Sequence, residues 1–303
     1  MMMRIGGFFS GIGAHHSAAD RLGIDYTMIF QCEFDLPTAN AYDTLHGETR
    51  NLGDITRVHD IGGENQVDVL FWTPPCQDIS NAGRLAGNAK DSGTRSSLAF
   101  EVPRILRNTG ERERPKYLVM EEVPMMVSKK FKANFDELMD ELTAIGYQHT
   151  WKVLNACDYG VAQNRKRLFV ISKLNGKPPE MPKPIPLTKC MRDYLEPEPV
   201  DERYYLSQDR LKGLIWSNAK EKEAERGFRF EPTDGNVIAH TISTRGGPQD
   251  GQLHLVEYYG RLNRGYECRG RIVRPDSCSA TITAHVMKNV DEGLVYVGDG
   301  KKG

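Results

Sequence analysis

The chain has 303 residues, of which 39% are hydrophobic and 27% charged, with a net charge of −1 and six cysteines, an ordinary balance for a soluble globular protein. No apolar run approaches the roughly 20 residues of a membrane-spanning helix, and the first residues enter a strand pattern directly rather than a secretory signal. The cysteines at 32, 76, 157, 190, 268 and 278 show neither C-x-x-C nor zinc-finger spacing, which leaves no metal ligand set and no disulfide framework to read. A cytoplasmic protein with no membrane partner is the expectation, and the length favours a large domain with a smaller companion.

Elements are expected in chain order as follows: strand Ile5–Phe9, helix Ala14–Leu22, strand Met28–Cys32, helix Pro37–His46 and strand Val67–Trp72. Helix Ser97–Arg107, strand Tyr117–Met120, helix Ala133–Ile145 and a closing strand pair, Trp151–Asn155 and Leu168–Ser172, complete the set. Strands alternating with amphipathic helices predict an α/β fold with a mostly parallel sheet covered on both faces. Pro178, Pro179, Pro182, Pro184 and Pro186 then mark an irregular crossing. Domains over 1–177 and 187–303 follow, the second β-rich, with two similar short segments at Ile238–Thr244 and Cys278–Ala284. Residues 1–159 hold 16 Lys+Arg against 22 Asp+Glu, and residues 160–303 hold 24 against 19. The second half therefore offers the local positive charge that phosphate contacts need, without requiring such a partner.

Phe9-Ser10-Gly11-Ile12-Gly13 lies between a predicted strand and helix, where glycines let backbone approach a ligand at a helix N-terminus. The next strand ends in Glu33-Phe34, a carboxylate suited to ribose hydroxyls beside an aromatic suited to an adenine face. Gly53-Asp54-Ile55 follows, with Asp54 placed to accept from an adenine amino group. Each could be an ordinary turn or cap; three in succession point to an adenosine-containing cofactor. Thr73-Pro74-Pro75-Cys76-Gln77 leaves the fifth predicted element at the C-terminal strand edge, where open parallel sheets bind ligands. Cys76 is there either a structural cysteine or a thiol held by stiff prolines for use as a nucleophile.

Thr73–Gln77 resembles the P-C-Q catalytic loop of the DNA (cytosine-5) methyltransferases. Phe9–Gly13 resembles that family's F-x-G-x-G turn, Glu33-Phe34 and Gly53-Asp54-Ile55 its next two cofactor motifs, and Met120-Glu121-Glu122-Val123 its E-N-V motif. Gln163-Asn164-Arg165-Lys166-Arg167 is similar to its Q-x-R-x-R motif, and all occur in the family's order. The resemblance implies a Rossmann-like S-adenosylmethionine-dependent methyltransferase sheet and a smaller target-recognition domain. It implies a bacterial or phage-infected host cell as the setting and double-stranded DNA as the partner.

By the same resemblance, Cys76 adds to C6 of a flipped cytosine, Glu121 holds N3 with a raised pKa or a shared proton, and Gln163, Arg165 and Arg167 complete the catalytic set. An Arg pair two apart on extended chain is expected to share one face. Phe9, Ser10, Gly11, Ile12, Gly13, Glu33, Phe34, Asp54, Ile55, Pro75 and Leu98 would hold S-adenosylmethionine. Gln77, Ser80, Arg84 and Arg95, on and beside a closing loop at Asn81–Ser97, would meet DNA, as would Arg245 in the recognition domain. Arg261–Arg274, Tyr258, Tyr259 and Tyr266 are further recognition candidates.

Two departures stand out. Glu122 replaces the Asn of E-N-V; turned inward it would raise the pKa of Glu121 or disturb the pocket. The family's closing R-x-L-T-P-R-E-C and G-N-S segments are absent from these residues, so a second polypeptide supplying them is one expectation. The alternatives are a catalytically incomplete DNA-binding subunit of a split enzyme, and an RNA cytosine-5 methyltransferase of the same fold. Against the last, the C-F-T triplet of the tRNA-directed branch is missing.

Overall fold

The computed structural model describes residues 2–76 and 95–194, and beyond them 205–206, 216, 231–233, 238–240, 254–257, 268–271 and 296–299. The chain forms two compact units, Met1–Leu154 with Lys166–Lys183, and Asn155–Arg165 with Pro184–Gly303. In chain order the strands are β1 (Met3–Phe8), β2 (Tyr26–Phe30), β3 (Val69–Trp72), β4 (Tyr117–Glu122), β5 (Tyr147–Asn155), β6 (Gln163–Asn164) and β7 (Lys166–Leu174). The helices are α1 (Ala14–Arg21), α2 (Leu36–His46), α3 (Glu101–Asn108) and α4 (Lys132–Thr143).

The main sheet runs β2-β1-β3-β4-β7-β5. β1 pairs in parallel with β2 and β3, β3 in parallel with β4, and β7 returns antiparallel to β4. Chain pleating separates the faces. Phe8, Leu70, Trp72, Leu118, Met120, Leu168 and Val170 form a continuous core with Val102 and Ile105 of α3 and Phe135, Leu138 and Leu142 of α4. On the opposite side small residues, Ala19, Ala39 and Ala41, are buried along α1 and α2 with Tyr42. This is the α/β sheet that the alternation of elements predicts.

Most element boundaries shift by one to four residues from expectation, and three of the differences have a clear physical reason. The helix expected over Ser97–Arg107 is a 3₁₀ segment, Arg95–Phe100, followed by α3. Pro103, third in α3, has no N–H to donate to the turn before it, so α-helix is disfavoured upstream and regular α-helix begins only at Glu101. α2 begins at Leu36, with Asp35 accepting from Thr38 N–H and Pro37 in the first turn. β4 continues two residues past Met120, because its ladder with β7 extends to the pairs Glu121–Phe169 and Glu122–Leu168.

The second unit is β-rich. β6 pairs in parallel with β10 (Ala239–His240). Strands β8 (Tyr205–Leu206), β9 (Glu231–Thr233), β11 (His254–Glu257), β12 (Cys268–Arg271) and β13 (Tyr296–Asp299) form a sheet ordered β12-β8-β13-β11-β9. Of the two similar short segments, only 238–240 lies within the described residues. Among the described residues no helix is long and apolar enough to cross a membrane.

Leu138 is fully buried, whereas Leu22 is 74% exposed. Leu138→Ala is expected to cost about 2–5 kcal/mol of unfolding free energy and Leu22→Ala less than about 0.5 kcal/mol. Urea denaturation of the two variants checks this difference.

Candidate active site

The site begins where β1 gives way to α1. Phe9, Gly11 and Gly13 have φ of 55, 55 and 83°, so the chain turns sharply, and a Cβ added at Gly11 would meet open space. At Gly13 a Cβ would lie 2.6 Å from His46 Nε2, and Gly13 caps α1 with no side-chain hydrogen bond. Backbone N–H groups at this helix start are thus uncapped by any side chain, with the partial positive charge that favours an anionic or polar ligand. The Ser10 hydroxyl donates to Gly7 carbonyl (2.9 Å) and accepts Cys32 N–H (3.0 Å), a buried tie between the turn and the end of β2.

Glu33 holds the same turn from outside. Its two oxygens accept Gly11 N–H (3.2 Å) and Asp35 N–H (2.9 Å). Burial raises its pKa, and these backbone donors oppose the rise. Asn51 bonds both ways with the Glu33 backbone, at 3.0 and 2.9 Å, and its Oδ1 accepts Gly53 N–H (2.9 Å). Cys32 Sγ donates to Gly53 carbonyl at 3.1 Å. Asp54 accepts from both Thr56 N and Thr56 Oγ1 and caps a 3₁₀ turn. The three segments expected to hold a cofactor are therefore bonded into one rim. Phe34 stands 75% exposed on it, and Ile55 is buried beneath. Pro75 and Leu98 are half-buried.

Aromatic packing buttresses the turn. His46 Nε2 lies 3.0 Å from Ile12 carbonyl, and its ring stacks on His16 at 4.3 Å. The Tyr42 hydroxyl is 3.1 Å from His16 Nδ1. His15 stacks on Phe71 of β3 with ring centroids 5.5 Å apart, and a Cβ on Gly7 would strike it at 2.5 Å. Burial, then the neighbouring His16 and His46, push the His15 pKa down to about 3. His16, Asp20 and His46 bring ligand-type atoms within 4.8 Å of one another. The two rings lie 14° from parallel, so their in-plane lone pairs do not converge on one point.

Cys76 follows β3 by a short bridge. Thr73 N–H donates to Phe8 carbonyl (3.2 Å) and Thr73 Oγ1 to Phe9 carbonyl (2.7 Å), which fixes the proline segment against the turn. Cys76 is half-buried and packs on the core. From β4, Glu121 Oε1 meets Arg167 Nε of β7 at 2.8 Å. Glu122 points the other way: it is 3% exposed and accepts Val123 N–H at 2.5 Å. Burial, and secondly the nearby Glu121, raise the Glu122 pKa to about 8. Burial and then the charge of Glu122 push the Cys76 thiol up to about 11, with Arg167 opposing. The acid turned inward by the departure from E-N-V thus acts on the thiol.

Gln163 and Arg165 belong to the second unit, where both are buried. Arg165 N–H donates to Asn155 Oδ1 (2.8 Å), and Ala156 N–H to Arg165 carbonyl (3.0 Å). Arg167, two residues on, belongs to the first unit. Arg95 opens the 3₁₀ segment, but its side chain lies outside the described residues. Gln77, Ser80, Arg84, Arg245, Tyr258, Tyr259 and Tyr266 also lie outside them. The sequence reading missed Asn51 and the His46–Tyr42 buttress. Asn51, two before Gly53, carries an Asx-turn signal; the buttress is a tertiary contact with no local signature.

A family model described as C-5 cytosine-specific DNA methylase matches residues 3–282. The chain is 42% identical over 165 residues to the type II methyltransferase M2.ScrFI of Lactococcus lactis subsp. cremoris, covering 54% of this chain and 44% of that protein. It is 31% identical over 242 residues to the orphan methyltransferase M.SssI of Spiroplasma monobiae, covering 78% and 57%. The chain thus spans about half the length of these two curated relatives. M.NlaX of Neisseria lactamica is 29% identical over 265 residues, 87% of this chain and 82% of its own. In fold the chain is similar to the Dnmt2 methyltransferase of S. pombe (TM-score 0.58, 18% identity, covering 84% of this chain and 74% of that one). It is similar also to the Entamoeba histolytica methyltransferase EhMeth (TM-score 0.59, 20% identity, covering 80% and 72%).

His15 yields a pH prediction. Its folded pKa lies below its unfolded value of 6.5, so the unfolded chain binds a proton that the folded chain refuses. Stability should fall as pH drops from about 6.5 toward about 3. His15→Gln should flatten that fall, as read by thermal melts across the range.

Proposed function

We infer the function from family and site together: the chain belongs to the C-5 cytosine-specific DNA methylases. It transfers a methyl group to C5 of cytosine in double-stranded DNA, with Cys76 as nucleophile. The observation that carries this is a thiol at the C-terminal end of a central parallel strand, in the field of Glu122, Arg167 and Glu121, with Glu121 and Arg167 bonded to each other.

The rim of Phe9, Ser10, Gly11, Ile12, Gly13, Glu33, Phe34, Asp54, Ile55, Pro75 and Leu98 would hold S-adenosylmethionine. The open space at Gly11 and the exposed ring of Phe34 fit close backbone approach and an adenine face. When bound, that molecule supplies an electrophilic methyl group. The chain's own work is to make cytosine C5 nucleophilic. Cys76 thiolate adds to C6, and the electron pair displaced from the C5–C6 bond moves toward N3 and O2. Glu121 gives N3 a proton as that charge builds, and Arg167 keeps the Glu121 carboxyl aimed. Gln163 and Arg165, by the motif they match, complete the catalytic set. Removal of the C5 proton and departure of the thiolate restore the aromatic ring.

A base stacked in a duplex cannot meet these groups, so the substrate cytosine is turned out of the helix. Residues 1–177 form the catalytic domain and 187–303 the target-recognition domain, with Arg245 reading bases. Gln77, Ser80, Arg84 and Arg95 contact the DNA strand. The setting is the cytoplasm of a bacterial or phage-infected cell.

The test uses the purified 303-residue chain, radiolabelled S-adenosylmethionine and mixed-sequence duplex DNA, with transfer RNA in a parallel reaction. Label is expected at cytosine C5 of DNA, absent in Cys76→Ser, whose cofactor binding by calorimetry is retained. Cys157→Ser should transfer normally. Transfer surviving in Cys76→Ser, or directed to RNA alone, overturns the reading. If the wild-type chain binds cofactor without transfer, a second polypeptide is required. Arg167→Ala should lower kcat by about 10²-fold, as for loss of one preorganised charge-stabilising donor, with KM for DNA little changed.

A further inference from the structure

Glu121 and Glu122 are consecutive on β4, so the pleat sends them to opposite faces. Glu121 reaches Arg167, whereas Glu122 shares the inner face with Leu118 and Met120. Across the ladder it faces Leu168, which is buried and apolar, and Met126 of the following turn is buried as well. Among the described residues no cation forms an ion pair with Glu122, and its carboxyl accepts Val123 N–H. A carboxylate so enclosed, without a counterion, favours its neutral form. The charged and titratable groups that act on it are Glu121 of its own strand and Arg167 of β7; Cys76, after β3, in turn feels its charge. Trp72 and Met120 pair across β3 and β4, so Cys76, after β3, and Glu122, at the end of β4, lie on neighbouring strands at the same edge. Cys76 packs on the core cluster that includes Leu168, the residue opposite Glu122. A thiolate and a carboxylate there are like charges that cannot both ionise cheaply.

We propose that Glu122 is a positioning residue that works protonated, as an uncharged neighbour that leaves Cys76 able to ionise, and that its ionisation at alkaline pH suppresses the thiolate. In that form it offers a neutral group where E-N-V has an amide. The acid supported at about 8 puts the transition close to ordinary working pH, so the motif's departure becomes a built-in alkaline limit on the nucleophile. The proposal rests on Cys76 being the reacting group, yet its electrostatics can be read with no methyl transfer at all.

The experiment is alkylation of Cys76 by iodoacetamide in the intact chain and in Glu122→Gln, followed by mass spectrometry of the Cys76 peptide from about pH 6 to about pH 10. In Glu122→Gln the rate should rise about tenfold per pH unit toward a single, lowered thiol pKa. In the wild type the rise should flatten around pH 8, leaving it about tenfold or more slower at the alkaline end. Glu122→Asn should behave as Glu122→Gln, and retained S-adenosylmethionine binding by both shows that they fold. Where methyl transfer is measurable, kcat should decline at alkaline pH in the wild type and not in Glu122→Gln. Superimposable alkylation profiles in folded proteins overturn the proposal, as does slower alkylation of Glu122→Gln throughout. A wild-type chain that transfers no methyl, but whose alkylation flattens around pH 8 where that of Glu122→Gln does not, supports the proposal and leaves methyl transfer to need a second polypeptide.

Discussion

The parallel register of β1, β3 and β4 is the constraint on which the first unit depends. Phe8 pairs with Trp72, and Trp72 with Met120, so β1 and β3 end level and β4 runs two residues beyond them. Everything chemical leaves from that edge: the Gly-rich turn from β1, the Pro-Pro-Cys bridge from β3, and the acid pair from β4. A shift of one residue in β4 would exchange the faces of Glu121 and Glu122. It would bury the acid that meets Arg167 and expose the acid that faces Leu168. The apolar alternation of Leu118 and Met120 forbids that shift, because both are fully or nearly fully buried against α3 and α4. Core packing thus determines which carboxyl can act on a substrate.

The edge is also electrostatically frustrated. One guanidinium, Arg167, acts on two carboxyls and a thiol. It pairs directly with Glu121, so the remaining negative groups are restrained by burial, which keeps them protonated. Such conflict between local preference and the requirements of the whole is expected where chemistry is done. The rim formed by the Gly-rich turn and the segments at Glu33 and Asp54 shows the opposite condition. There Asn51, Ser10 and Glu33 satisfy backbone donors from three separate segments, and the turn is held without any ligand. Preorganisation of this kind lowers the ordering cost of binding.

Much of this was legible before any coordinates. Strand–helix alternation marked the sheet, and Pro74-Pro75-Cys76 marked a thiol at a strand end. Glu33 and Asp54 are read as cofactor residues from their position alone, and each does the capping or turn-holding work that its residue type equally suggests. The orientation of Glu122 stays open in the sequence, because the strand expected over Tyr117–Met120 stops two residues short of it and acids are poor strand formers. The ladder with β7 overrides that propensity. The 3₁₀ start before α3 was hidden by apolar periodicity that ignored Pro103. The His46–Tyr42–His16 buttress brings residues of α1 and α2 together, and no local pattern encodes it. In the second half, strands of two to four residues leave too little alternation to read a register.

Burial acts on His15 and Glu122 by the same physics with opposite sign. Both are kept neutral, one by refusing a proton and the other by retaining it. For His15 the cost of folding appears below its unfolded pKa of 6.5 and grows toward about 3. For Glu122 it appears above its unfolded value of 4.5 and grows toward about 8. Between 4.5 and 6.5 the two slopes oppose and partly cancel, so the pair alone gives a stability plateau there, falling on either side. The thiolate that the proposed mechanism asks of Cys76, by contrast, is favoured by high pH. Stability at the strand edge and reactivity at its thiol therefore draw in opposite directions across neutral pH, and a neutral Glu122 is the state in which the two demands conflict least.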